Sequence, residues 1–190
     1  MWHKHGAMPS PSSAPRRARP ALTPASLDEL ALSYVGKFAT SRAKLAAYLS
    51  RKLRERGWDG PSPADPRAVA DRMGALGYVD DQAFASARAR SMLGRGYGER
   101  RVDLALHAAG IAGQDQDLAR REVEKGAVDA AIRFARRRRI GPFAHDVPDP
   151  KTRERQIAAM LRAGHPMALV KRLIDLPPGS DIDPVSLENE

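Results

Sequence analysis

Three segments of this chain lie over one another without a gap, and that limits what the chain can fold into more than any other feature. ALSYVGKFATSRAKLAAYL at 31–49, RARSMLGRGYGERRVDLAL at 88–106 and QIAAMLRAGHPMALVKRLI at 156–174 align at offsets of 57 and 68 residues. Val35, Met92 and Met160 then coincide, as do Leu45, Val102 and Val170, and Leu49, Leu106 and Ile174. Each copy reads as a helix, a short break and a second helix whose apolar residues recur four apart on one face. A period near 60 residues suits a three-helix unit, and a chain of such units stacks copy on copy instead of closing around one pocket.

Helix signals fill the space between 26 and 176. Ser26 followed by Glu29 predicts a capping box opening a helix over 27–38. Thr40 or Ser41 caps the next, which runs to Gly57, and Asp65 with Pro66 opens a third whose inward stripe is Val69, Ala70, Met73 and Leu76. Asp80 or Asp81 starts a helix over 82–94, the turn GRGYG leads to another over 98–109, and a long helix spans 115–139. Asp149 with Pro150 and His165 with Pro166 begin the last two. No stretch of β-branched alternation supports a strand. The expected fold is all-α: tandem three-helix repeats forming an elongated, curved helical array. Its expected divisions are a disordered, basic, Pro-rich arm at 1–25, repeats at 26–60, 61–112 and 113–176, and an acidic flexible tail at 177–190.

The composition is 42% hydrophobic but only 5% aromatic, so any core is built from Ala, Leu, Val and Met and is thin. Small modules side by side fit that better than one large globule. No apolar run approaches a membrane span and no signal-peptide segment is evident, so a cytoplasmic protein without membrane attachment is expected. With no cysteine, disulfides, thiolate metal sites and thiol nucleophiles are excluded. The net charge of +9 is carried by the body, because Lys4, Arg16, Arg17 and Arg19 at one end offset Asp181, Asp183, Glu188 and Glu190 at the other. A polyanionic partner follows, either nucleic acid or an assembly that contains it.

Residues for catalysis are hard to find. The histidines at 3, 5, 107, 145 and 165 fall at no metal-ligand spacing. Asp80 beside Asp81 suggests a metal-binding or acid–base pair, yet neighbours at a helix start point apart and capping accounts for at least one. Gly94, Gly96 and Gly98 follow no strand and lack the Lys-Ser/Thr of a phosphate loop, so they read as an interhelix turn. A protein without enzymatic activity, metal or cofactor is expected.

The basic residues are the stronger signal. Arg42 and Lys44 open the second helix of the first unit, Arg100 and Arg101 open that of the second, and Arg88, Arg90 and Arg95 lie on the helix before it. Guanidinium groups at helix N-termini extend an anion site toward phosphates or carboxylates. The run at 136–139, including Arg136 and Arg137, spans every face of a helical turn, so some members project to solvent. A solvated helix face is the competing account of all these charges.

GYVDDQAFA at 77–85, RGYGERRVDLALHAAGI at 95–111 and ARRRRIGPF at 135–143 carry a further signal. In the order and spacing of glycine, tyrosine, paired aspartates and phenylalanine, the chain resembles the RecX regulatory proteins, bacterial modulators of the RecA recombinase, over about 27–176. The resemblance implies three tandem three-helix repeats lying along the groove of the RecA filament on single-stranded DNA. It also implies inhibition of ATP hydrolysis, strand exchange and coprotease activity, bearing on recombination and the SOS response. A monomer is expected, with any direct contact to single-stranded DNA weak. Arg42, Lys44, Arg88, Arg90, Arg95, Arg100, Arg101, Arg136 and Arg137 are the candidate contacts. Val35, Leu45, Phe84, Met92, Val102, Leu106, Met160 and Val170 are expected to hold the repeats. The alternative is a helix-turn-helix transcriptional regulator, with the helices over 82–94 and 98–109 as the DNA-binding pair.

Overall fold

The computed structural model describes residues 19–188. Trp2, His3, His5, Lys4, Arg16 and Arg17 lie outside the described residues. The fold is all-α: α1 (Pro24–Val35), α2 (Arg42–Arg56), α3 (Pro66–Ala75), α4 (Asp81–Gly94), α5 (Glu99–His107), α6 (Asp117–Arg138), α7 (Pro150–Arg162), α8 (Met167–Asp175) and α9 (Pro184–Glu188), with short 3-10 turns before α6 and after it.

The sequence register survives in the structure. Ser41, Gly98 and Pro166, which coincide in the alignment, are the N-caps of α2, α5 and α8. Leu45, Val102 and Val170 are each wholly buried, and Leu49, Leu106 and Ile174 are buried beside them. The remaining aligned column is uneven, because Met92 and Met160 are buried while Val35 is only half-buried.

Three apolar cores follow one another along the chain. The first joins Leu27 and Ala31 of α1, Leu45 and Leu49 of α2, and Val69, Ala70 and Met73 of α3. The second joins α4 and α5 to the first half of α6 through residues such as Met92, Val102, Leu106 and Val123. The third joins the second half of α6, through Ala131, Phe134 and Ala135, to Met160 of α7 and Leu169, Val170 and Leu173 of α8. Two expectations shift accordingly. The helix after Trp58, assigned to the second repeat at 61–112, packs into the first core, and α6, assigned wholly to the third, serves two cores. Covalent order put α3 next to α4, but its buried stripe faces α2.

The chain is also ordered beyond the expected limits. Helix α1 begins at Pro24, not at 27, because Thr23 caps it: Ser26 N–H donates to Thr23 Oγ1 at 3.3 Å and Thr23 N–H to Ser26 Oγ at 2.8 Å. Leu22, expected in a disordered arm, is wholly buried and exchanges backbone bonds with the loop after α2 (Leu22 N–H to Gly57 O 3.0 Å, Asp59 N–H to Leu22 O 2.8 Å). The segment expected as a flexible tail is pinned by Gly179 N–H to Pro142 O at 2.9 Å and by Leu187 of α9, buried in the third core. Leu76, expected inward, caps the end of α3 and is exposed.

The units meet through helix ends. At the first joint, Ser41 Oγ donates to Ala109 O at 2.6 Å, and Arg42 N–H donates to Asp81 Oδ1 at 2.9 Å. At the second, Gly98 N–H donates to Ala163 O at 2.9 Å and Arg100 N–H to Gly164 O at 3.1 Å. The backbones approach so closely there that a Cβ on Gly98 would lie 2.5 Å from Gly164 C and O. Gly164 itself sits at φ +97°, a conformation that disfavours any side chain. Gly98→Ala should therefore cost about 1–3 kcal/mol of stability in urea unfolding, by forcing the joint apart. Gly94→Ala should be neutral or mildly stabilising, because nothing lies within 4 Å of its Cβ position.

His165 closes the second joint. Its ring is wholly buried, packs edge-on against Phe134 and donates from Nε2 to Gly96 O at 3.1 Å, leaving Nδ1 without a partner. Burial lowers its pKa, opposed by the bond to Gly96, so the folded protein holds it neutral. The unfolded chain protonates this histidine below about pH 6.5, so stability falls as pH drops through that value, with a limiting slope of about 1.4 kcal/mol per pH unit. Unfolding titrations between pH 7.5 and 5.5 should show a steeper loss for the wild type than for His165→Gln, whose amide keeps a donor.

Candidate functional site

The candidate cations divide into those spent on the fold and those left free. Arg42 belongs to the first group. Its Nε bonds Asp81 Oδ2 at 2.9 Å and its Nη2 bonds Asp115 Oδ2 at 3.2 Å, so it ties α2 to α4 and to the turn before α6. The bond to Asp81 raises the pKa of the guanidinium against its partial burial. Asp80 caps α4 by accepting from Ala83 N–H at 2.9 Å, whereas Asp81 is buried and caps α2 across the joint. Both aspartates are thus structural. Arg90 also turns inward, to Glu122 Oε1 and Ser86 Oγ, both at 2.7 Å, and its hydrogen bond holds the Glu122 carboxyl below the usual carboxylate range. Arg137 donates to Arg95 O at 2.8 Å and covers Phe134, while Arg136 stacks on Phe143 with 5.0 Å to the ring centroid.

The expected anion sites at the helix N-termini are filled. Asp81 occupies the start of α2, and the α7–α8 turn supplies carbonyls to the start of α5. That turn bonds the backbone of the first turn of α5 and leaves the side chains of Glu99, Arg100 and Arg101 exposed.

What remains free is a surface along α4 and α5. Arg88, Arg100 and Arg101 are exposed and their side chains form no hydrogen bond or ion pair with the described residues. Arg95 turns back to Ser91, donating to its O at 3.1 Å and its Oγ at 3.4 Å, lies over the Tyr97 ring and stays exposed. Lys44 is exposed and its ammonium lies 5.5 Å from the centroid of Phe84. Two grooves flank α4 and meet at Arg88. One, of about 290 Å³, runs toward α5 between Arg95, Tyr97, Arg101 and the exposed Leu104. The other, of about 430 Å³, lies between α4 and the breaks that follow α1 and α3, and is largely apolar. Phe84 was expected to hold the repeats together; it is half-buried in the floor of this second groove.

Two residues of this surface escape sequence reasoning. Phe38 and Tyr78, which line the apolar groove, are 56% and 57% exposed. Both fall in breaks between helices, outside any apolar period, and that position is the signal that marks them: an aromatic with no helical face to complete. The division of the cations is testable. Arg42→Ala should lower stability by about 2 kcal/mol, because it leaves a buried carboxylate short of charged donors. Arg88→Ala should stay within about 0.5 kcal/mol of the wild type in the same urea titration.

Comparison with known proteins follows the same lines. The chain is 29% identical over 175 residues to Regulatory protein RecX of Myxococcus xanthus (strain DK1622), covering 86% of this chain and 91% of that protein. It is 32% identical over 165 residues to Regulatory protein RecX of Mycobacterium sp. (strain JLS), covering 85% and 83%. The fold matches the crystal structure of RecX from Lactobacillus salivarius with a TM-score of 0.60 at 17% identity, over 79% of this chain and 93% of that one. No protein-family model matches the chain. Among the described residues, no helix is long and apolar enough to cross a membrane.

Proposed function

The chain belongs to the RecX family of regulatory proteins, and from that membership we propose that it binds the RecA filament on single-stranded DNA and restrains its ATP hydrolysis, strand exchange and coprotease activity. It acts as a cytoplasmic monomer, with weak direct affinity for single-stranded DNA. Recombination and the SOS response are the processes it modulates.

The observation that supports this reading is the unpaired cationic surface along α4 and α5. Arg88, Arg95, Arg100 and Arg101 face solvent along α4, the turn after it and α5, whereas the candidates Arg42 and Arg90 are engaged by the protein's own carboxylates. A nucleoprotein filament offers both acidic protein surface and phosphate to such a face. Helices α4 to α8 are held to one another at backbone level through the Gly98–Gly164 joint. A body braced in that way opposes relative movement of the filament subunits it touches.

The test is RecA ATPase on single-stranded DNA with substoichiometric amounts of this protein. Strong inhibition is expected from the wild type and at least about tenfold weaker inhibition from Arg88→Glu/Arg101→Glu, whose circular dichroism should match the wild type. Unchanged ATPase with the wild type, at any ratio up to equimolar, would overturn the reading. Unchanged potency of the double variant would remove these two arginines from the contact.

A further inference from the structure

The groove between α4 and the breaks after α1 and α3 is a different kind of surface from the arginine face beside it. Val35, Val79, Ala83, Phe84 and Ala87 line it, together with two exposed aromatic rings, Phe38 from the break after α1 and Tyr78 from the break after α3. The α4 side is lined by Asp80, Ala83, Phe84, Ala87, Arg88 and Ser91. These positions span three turns, or about 16 Å at the rise of a helix. Ala83, Ala87 and Ser91 are exposed and small, so a backbone laid along them comes close to α4.

The charges at the rim have one sign. Lys44 stands over Phe84 and Arg88 closes the end shared with the second groove. The single carboxylate in the lining, Asp80, already accepts the amide of Ala83 as the cap of α4. Asp81 points away into its bonds with Arg42. The groove therefore offers apolar area along its length and unanswered positive charge at its edge. A nucleic-acid strand needs cations spaced along its whole backbone, and this floor has none between Phe38 and Arg88. Aromatic anchors around a small-residue floor with cations at the rim suit a protein segment instead.

We propose that this groove docks an acidic amphipathic segment of a RecA filament subunit, whose apolar side chains fill the space between Phe38 and Tyr78 and whose carboxylates pair with Lys44 and Arg88. This rests on the filament-binding reading and names the part of the filament that this face takes.

The experiment uses the full chain, RecA, ATP and a labelled oligo-dT. Binding of wild-type protein and of Phe38→Ala/Tyr78→Ala is measured by anisotropy on the bare oligonucleotide, and by co-sedimentation on the RecA filament assembled upon it. Both substituted rings are exposed, so the melting temperature is expected to hold, and Val147→Ala, changed at a side chain 81% exposed elsewhere on the surface, is the control. The expected result is at least about a tenfold loss of filament affinity by the double variant with unchanged affinity for the bare oligonucleotide. Equal filament affinity of wild type and double variant overturns the groove while leaving the filament-binding reading intact. Parallel loss on the bare oligonucleotide and on the filament assigns the groove to nucleotide bases and overturns the protein occupant. Absence of filament binding by the wild type overturns both readings.

Discussion

Everything in this fold depends on how the first turns of its helices find partners for their amides. A helix start leaves several N–H groups without intrahelical acceptors. In α2 and α5 the acceptors come partly from the neighbouring unit: Asp81 takes Arg42 N–H, and Gly164 O takes Arg100 N–H. A chain of small modules with thin cores has little apolar area to spend at each joint. Directed bonds between helix ends, packed tightly through Gly98 and Gly164, fix the relation of one unit to the next where apolar area alone would leave it loose.

The same economy sorts the charges. A guanidinium lying against a buried carboxylate, as Arg42 does with Asp81, is committed to the fold, since separating the pair strands a charge in a place with little water. Arg90 with Glu122 repeats the pattern between α4 and α6 in a more exposed setting, where the pair contributes less. The positive charge available to a partner is what remains after these pairings. Among the candidate contacts, it lies at Lys44, on Arg88 and Arg95 at the end of α4, and on Arg100 and Arg101 of α5.

The helices and most of their caps were legible because they rest on local rules. Pro66 after Asp65, Pro150 after Asp149 and the apolar stripe of α2 act within a few residues of themselves. The unit boundaries were not legible, since the face that α3 buries is chosen by α2 across the loop at Trp58. The site was legible only in part. Arg42 and Arg88 look alike in sequence, each on a helix among alanines, and only the fold brings Asp81 and Asp115 to the one and nothing to the other. Buried ends such as Leu22 and Leu187 escaped for the same reason, because a single apolar residue in a proline-rich stretch carries no period.

The placement of the aromatic residues follows from the thinness of the cores. Large rings usually supply much of a domain's buried area, yet of the aromatic side chains described here only Phe134 is buried. Stacked helices close enough to interlock at glycines and alanines leave no room between them for a ring. Tyr34 stacks on Tyr48 with 4.2 Å between centroids, both half-buried against the first core, and Phe38 tilts against Tyr34 at 5.2 Å from the lining of the groove that α4 forms. Exposed rings cost hydrophobic free energy in water that any partner covering them recovers. Among the described aromatic residues, Phe38 and Tyr78 are the exposed ones, and they are the ring area that a partner can cover.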